Sequence, residues 1–124
     1  MAGTNASGQS AGGSVWILTE QEGGRLRPVS YELLSWGRRL RDAMRASARP
    51  GAQLCSVALG GELERADLRE LIERGADAVY FVEAPELEHF TAEPYSNALE
   101  HMIRRFAPEV VIAAATSTGR TLMP

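Results

Sequence analysis

The sequence predicts a doubly wound α/β domain, a parallel sheet with helices on both faces. Three observations predict it. Four short apolar runs recur along the chain, and between them lie segments whose apolar residues fall at helical spacing. The connections are short, and right-handed crossovers then favour a parallel sheet between two helical layers. The totals agree: 124 residues, 44% hydrophobic and 23% charged, suit one globular domain.

The opening MAGTNASGQSAGGS, residues 1–14, is rich in Gly, Ser and Ala and reads as a disordered tail or leader. It has neither the basic n-region nor the apolar h-region of a secretory signal. Val15 to Glu20 is the first strand, nearly continuous in apolar residues, as expected of a strand covered on both faces. A loop with Gly23-Gly24 as its turn follows. Ser30 is placed to cap the first helix, with Val29 stapling onto Leu34. Leu33, Gly37, Leu40 and Met44 form its buried stripe, and Arg38, Arg39, Arg41 and Arg45 mostly cover its outer side. Arg49-Pro50-Gly51 marks the break after it.

Leu54 to Gly60 is the second strand. Leu68, Leu71 and Ile72 face inward on the second helix, which Gly75 ends. Ala78 to Glu83 is the third strand. Pro94 suits the first turn of the third helix, whose apolar face is Tyr95, Leu99, Met102, Ile103 and Phe106. Glu109 to Thr116 is the fourth strand, and a fourth helix is expected from Gly119 onward. In such sheets ligands bind beyond the carboxyl ends of the strands, where the strand order reverses. With an order of 3-2-1-4, the reversal lies between the first and fourth strands, flanked by the loops Thr19 to Arg25 and Thr116 to Arg120.

Composition excludes several kinds of chemistry. A net charge of −3 gives no electrostatic basis for binding nucleic acid or an anionic membrane. The 13 positive side chains are all arginine, so neither a Schiff-base lysine nor a Walker lysine exists in this sequence. The single cysteine, Cys55, has no internal partner and points to a reducing, cytoplasmic setting. It lies in an apolar run, as a buried inert thiol does. No apolar run approaches the ~20 residues of a membrane span.

The loop Thr116, Ser117, Thr118, Gly119 and Arg120 is the candidate binding site. Free backbone N–H groups at a helix N-terminus, with hydroxyls and a guanidinium, suit a phosphate or carboxylate. The same residues also make an ordinary helix cap, and both readings stay open on chemistry alone. The first loop is a poorer cradle, since Glu20 and Glu22 would repel an anion. His89 and His101 stand apart without metal-ligand spacing. No Ser-His-Asp arrangement is evident, and no residue is assigned a catalytic or metal-binding role.

Several stretches, in order, resemble the N-terminal domain of the electron transfer flavoprotein alpha subunit. They are VWILTEQEGGRLRPVSYELL, LCSVALGGELE, LIERGADAVYFVE, TAEPYSNALEHMI and PEVVIAAATSTGRTLMP, which together reach from Val15 to Pro124. The resemblance implies an adenine-nucleotide-hydrolase-like, Rossmann-like fold for residues 15–124. It implies a heterodimeric flavoprotein in which alpha and beta subunits carry electrons by FAD from acyl-CoA or other dehydrogenases to an acceptor. In that family FAD is held mainly by a separate C-terminal alpha domain, so this chain alone is expected to bind none and to be a carrier subunit rather than an enzyme. The loop Thr116 to Arg120 is then a structural or interface feature.

The family usually continues as G-R-D-L-A-P-R, whereas Thr121 and Met123 depart from that pattern and the sequence ends at Pro124. The expectation is a truncated domain whose last βα unit is missing and whose sheet edge is uncovered. A second reading is a stand-alone adenine-nucleotide-binding regulator or hydrolase of the same fold. It calls for a glycine-rich phosphate loop after the first strand, which TEQEGGRLRP does not convincingly supply.

Overall fold

A computed structural model describes residues 2–4 and 13–115. In chain order the elements are β1 (Ala2–Thr4), β2 (Ser14–Leu18), β3 (Gln21–Glu22), β4 (Arg25–Leu26), α1 (Pro28–Ala46), β5 (Gln53–Gly60), α2 (Arg65–Glu73), β6 (Ala78–Glu83), a 3-10 turn (Pro85–Leu87), α3 (Ala92–Phe106) and β7 (Val110–Ile112). The main sheet runs β1-β6-β5-β2-β7. Apart from β1 its members are parallel, and β6-β5-β2-β7 is the expected order 3-2-1-4. The expected α/β class is therefore the observed one.

β2 is central, and all five of its residues are buried. Its side chains alternate between two cores. Val15 and Ile17 face α1 and α2, where Leu33, Leu34, Leu68 and Leu71 meet Leu54, Ala58 and Val79. Trp16 and Leu18 face α3, where Tyr95, Leu99 and Met102 meet Cys55, Val57 and Tyr80. In that second core Trp16 packs edge-on to Tyr80 at 5.5 Å, and Phe106 stacks on Tyr80 at 4.6 Å, geometries that add to simple burial. α1 lies close against the sheet because of Gly37. A Cβ there would come within 2.6 Å of Leu54 Cδ1 and 2.9 Å of Ile17 Cγ2.

Several local expectations need correction. Ser30 does not cap α1: the helix begins at Pro28, with Arg27 as N-cap, and Ser30 is fully buried inside it. Proline at the first helical position supplies the start instead. The turn expected at Gly23-Gly24 is observed, at φ +61° and +85°, and two short strands beside it, β3 and β4, make the loop a hairpin. Ile103 is exposed rather than part of the α3 core. β7 is shorter than expected, three half-buried residues at one edge of the described sheet. Within the stretch read as a tail, Ala2–Thr4 pairs antiparallel with β6. The expected fourth helix lies outside the described residues. Among those described, no helix is long and apolar enough to cross a membrane.

Arg41 corrects the expected outer face of α1, for it is buried. Its Nη1 donates to the Gly75 carbonyl at 2.8 Å and to Asp77 Oδ2 at 3.1 Å. Asp77 in turn ties the starts of β5 and β6 together. Its N–H donates to the Leu54 carbonyl at 2.7 Å, and its carboxylate accepts from the Leu54 N–H at 2.7 Å. Arg45 adds a contact to the same oxygen at 3.2 Å. Without the Asp77 carboxylate the Leu54 N–H loses its side-chain acceptor, and the buried Arg41 keeps only the Gly75 carbonyl and the exposed Asp42. Asp77→Ala is therefore expected to cost about 2–4 kcal/mol in a urea titration. A loss no larger than that of an exposed-site control such as Glu73→Ala would contradict this role.

Candidate functional site at the carboxyl edge of the sheet

The crevice expected to take a ligand opens where β2 ends, beside β7. Of its two walls, Thr116 to Arg120 lie outside the described residues, so the structure brings none of them to a site. The other wall, Thr19 to Arg25, is described in full. It is closed by its own side chains.

Thr19 continues the line of β2 toward β5: its N–H donates to the Val57 carbonyl at 2.9 Å, and its Oγ1 donates to the same oxygen at 2.8 Å. Glu20 is next, and it is buried rather than facing solvent. Its N–H donates to Ser30 Oγ at 2.9 Å, and its carbonyl accepts from that hydroxyl at 3.1 Å and from the Arg27 N–H at 2.8 Å. Ser30 thus serves the turn after β2 instead of a helix end. The Glu20 carboxylate pairs with Arg27 Nη1 at 3.2 Å. The acidic group that would repel a phosphate is therefore fixed inside the crevice.

Gln21 completes the closure. Its Nε2 donates to the Tyr95 hydroxyl at 2.7 Å and lies within reach of the Leu87 and Glu88 carbonyls at 3.4 and 3.3 Å. Its Oε1 accepts from the Gly24 N–H at 2.9 Å, which folds the hairpin back over the site. The Tyr95 hydroxyl can place its proton on Leu87 O at 2.9 Å or Leu59 O at 3.2 Å. Burial pushes the Tyr95 phenol up, so it stays a neutral donor. Phe90 packs edge-on against Tyr95 at 5.0 Å. The space left among Leu18, Thr19, Gln21, Arg27 and Tyr95 is about 30 Å³. That holds a water or so, against the several hundred Å³ of a cofactor pocket. This part of the crevice does not fit an FAD.

A second, polar cleft of about 500 Å³ lies between the β3–β4 hairpin and Gly61 to Arg65. Both arginines lining it are engaged elsewhere. Arg25 Nε donates to Asp67 Oδ2 at 2.9 Å, and Arg65 Nη2 donates to Glu83 Oε1 at 2.7 Å. The Arg25 guanidinium, with the Leu26 N–H, holds the Asp67 carboxyl below its usual range. Arg65 and the Leu63 N–H do the same for Glu83. Glu62, Glu64 and Glu88 line the cleft as well, so it offers no anion cradle. His89 and His101 are exposed, and among the described residues no cluster of metal-ligating side chains exists. The Cys55 thiol is pushed up to about 11 by burial, so it stays protonated and unreactive near neutrality.

The parallel sheet thus runs in the order 3-2-1-4, and the described wall beyond β2, Thr19 to Arg25, is filled by its own side chains. The electron transfer flavoprotein domain family matches residues 15–124. The chain belongs to that family. It is 36% identical over 110 residues to the electron transfer flavoprotein subunit alpha of Thermoanaerobacterium thermosaccharolyticum, covering 89% of this chain and 31% of that protein. It is 36% identical over 112 residues to Protein FixB of Rhizobium meliloti, covering 88% and 30%. It is also 36% identical over 110 residues to the acryloyl-CoA reductase electron transfer subunit beta of Anaerotignum propionicum, covering 89% and 28%. The chain thus spans about three tenths of the length of these relatives.

Sequence reasoning missed the closing contacts, although Tyr95 and Asp67 both stand on apolar helix faces where a polar atom needs a partner. Asp67 gives a pH prediction. Its folded pKa lies below the ordinary 3.8, so the Arg25 pair stabilises the fold above that value and is lost as pH falls through the folded pKa. Asp67→Asn should lower the melting temperature near neutrality and flatten its decline between about pH 5 and pH 3. Parallel melting curves for the two proteins across that range would count against the assignment.

Proposed function

We propose that residues 15–124 act as the N-terminal scaffold domain of an electron transfer flavoprotein alpha subunit. On this reading the chain works in electron transport as a carrier subunit without catalytic residues of its own. FAD belongs to the intact heterodimer with a beta subunit and is held mainly by an alpha C-terminal domain. Acyl-CoA or other dehydrogenases deliver electrons to that heterodimer, in the cytoplasm. Thr116 to Arg120 shape the edge of the domain rather than grip a cofactor.

The observation that supports this reading is the filled wall beyond β2: Glu20, Gln21 and Tyr95 bond to protein partners there, and about 30 Å³ remains among them. Family membership and an alpha-subunit relative at 36% identity support the same role. The buried, protonated Cys55 suits a reducing compartment.

Calorimetric titration of the chain with FAD, AMP and ATP in turn tests the proposal. No saturable heat is expected from any of the three. Saturable AMP or ATP binding that disappears in Gly119→Val would overturn it in favour of a nucleotide-binding regulator.

A further inference from the structure

β6 is an unusual strand to leave at the side of a sheet. Its sequence, AVYFVE, is rich in β-branched and aromatic residues, carries one charge and contains no proline. Such segments pair readily with another chain when one edge is free. β5 occupies one side of β6, in parallel register from Cys55↔Ala78 to Gly60↔Glu83. The other side is taken by β1, antiparallel, with Ala2 opposite Val82, Gly3 opposite Phe81 and Thr4 opposite Tyr80.

Two further facts bear on β1. The family match begins at residue 15, so β1 lies outside the matched domain. Beside the same edge, Tyr80, Val82 and Ala84 lead into an open groove of about 870 Å³ whose far wall includes Met102 and Phe106. An exposed β6 would therefore present free backbone groups and an apolar floor together.

We propose that Ala2–Thr4 is an edge guard, whose backbone pairing stops a second copy of this chain from adding its own β6 to this one. Ala and Gly are weak strand formers, so β1 owes little of its hold to residue preference. Being on the same chain, it acts at a high effective concentration and needs little intrinsic affinity. Without it, two β6 strands would meet about a twofold axis, antiparallel and self-complementary, and close into a dimer with one continuous sheet.

The test compares the full chain with two variants: deletion of Ala2–Thr4, and the double substitution Gly3→Pro with Thr4→Pro. Adjacent strand residues point their N–H groups to opposite sides, so one of the two prolines removes a donor facing β6. Light scattering across a concentration series gives the mass, and amide hydrogen exchange reports on β6 with β5 as internal reference. The full chain is expected at 13.4 kDa. Both variants should move toward twice that mass as concentration rises, and β6 amides should exchange several-fold faster in dilute samples while β5 amides do not change. Unchanged β6 exchange would overturn the proposal. Faster β6 exchange with a constant monomer mass would overturn it too, as would acceleration spread equally over β5 and β6.

Discussion

The structure depends on the burial of β2. With both faces covered and neighbours on both sides, this strand leaves its polar groups no water to turn to, so everything at its carboxyl end must be satisfied internally. Thr19 meets that demand by bonding twice to Val57, and Glu20 by enclosing the Ser30 hydroxyl. The carboxylate of Glu20 must then be paired, which fixes Arg27 at the start of α1. α1 is thereby anchored at one end by the strand it covers. At its other end Arg41 and Arg45 converge on Asp77, which joins β5 to β6. One buried strand thus sets the position of the helix and, through it, the alignment of the neighbouring strands.

The same constraint accounts for the absence of a nucleotide cradle in the described wall of the crevice. A phosphate-binding loop needs free N–H groups and room for backbone to approach a ligand. Here the N–H of Thr19, of Glu20 and of Gly24 each has a protein acceptor, and the Gln21 side chain fills the remaining approach. Gly24 is required by packing of the hairpin rather than by a ligand. Its φ is +85°, and an added Cβ would meet the Glu62 carbonyl oxygen.

Much of the fold was legible in the sequence because burial writes itself as pattern. The runs at Val15, Leu54, Ala78 and Val110 marked four parallel strands, and Leu33, Leu68 and Leu99 marked the inward sides of three helices. Side-chain pairings were less legible, since they depend on which loops meet. Ser30 looks like a cap by position, yet Pro28 starts the helix and the hydroxyl serves a residue ten positions earlier. Arg41 looks like surface by type, although its place four residues after Gly37 puts it on the buried stripe. The Gln21–Tyr95 contact joins residues 74 apart, and no local spacing announces it.

Amide hydrogen exchange at Thr19 and Glu20, with and without millimolar AMP, tests the closed crevice most directly. If the turn after β2 is sealed by Val57 and Ser30, both amides should be protected to the level of the β2 core, and AMP should leave them unchanged. Exchange at the rate of an open loop, or protection gained on adding AMP, would contradict a self-closed scaffold and restore the crevice as a working nucleotide site.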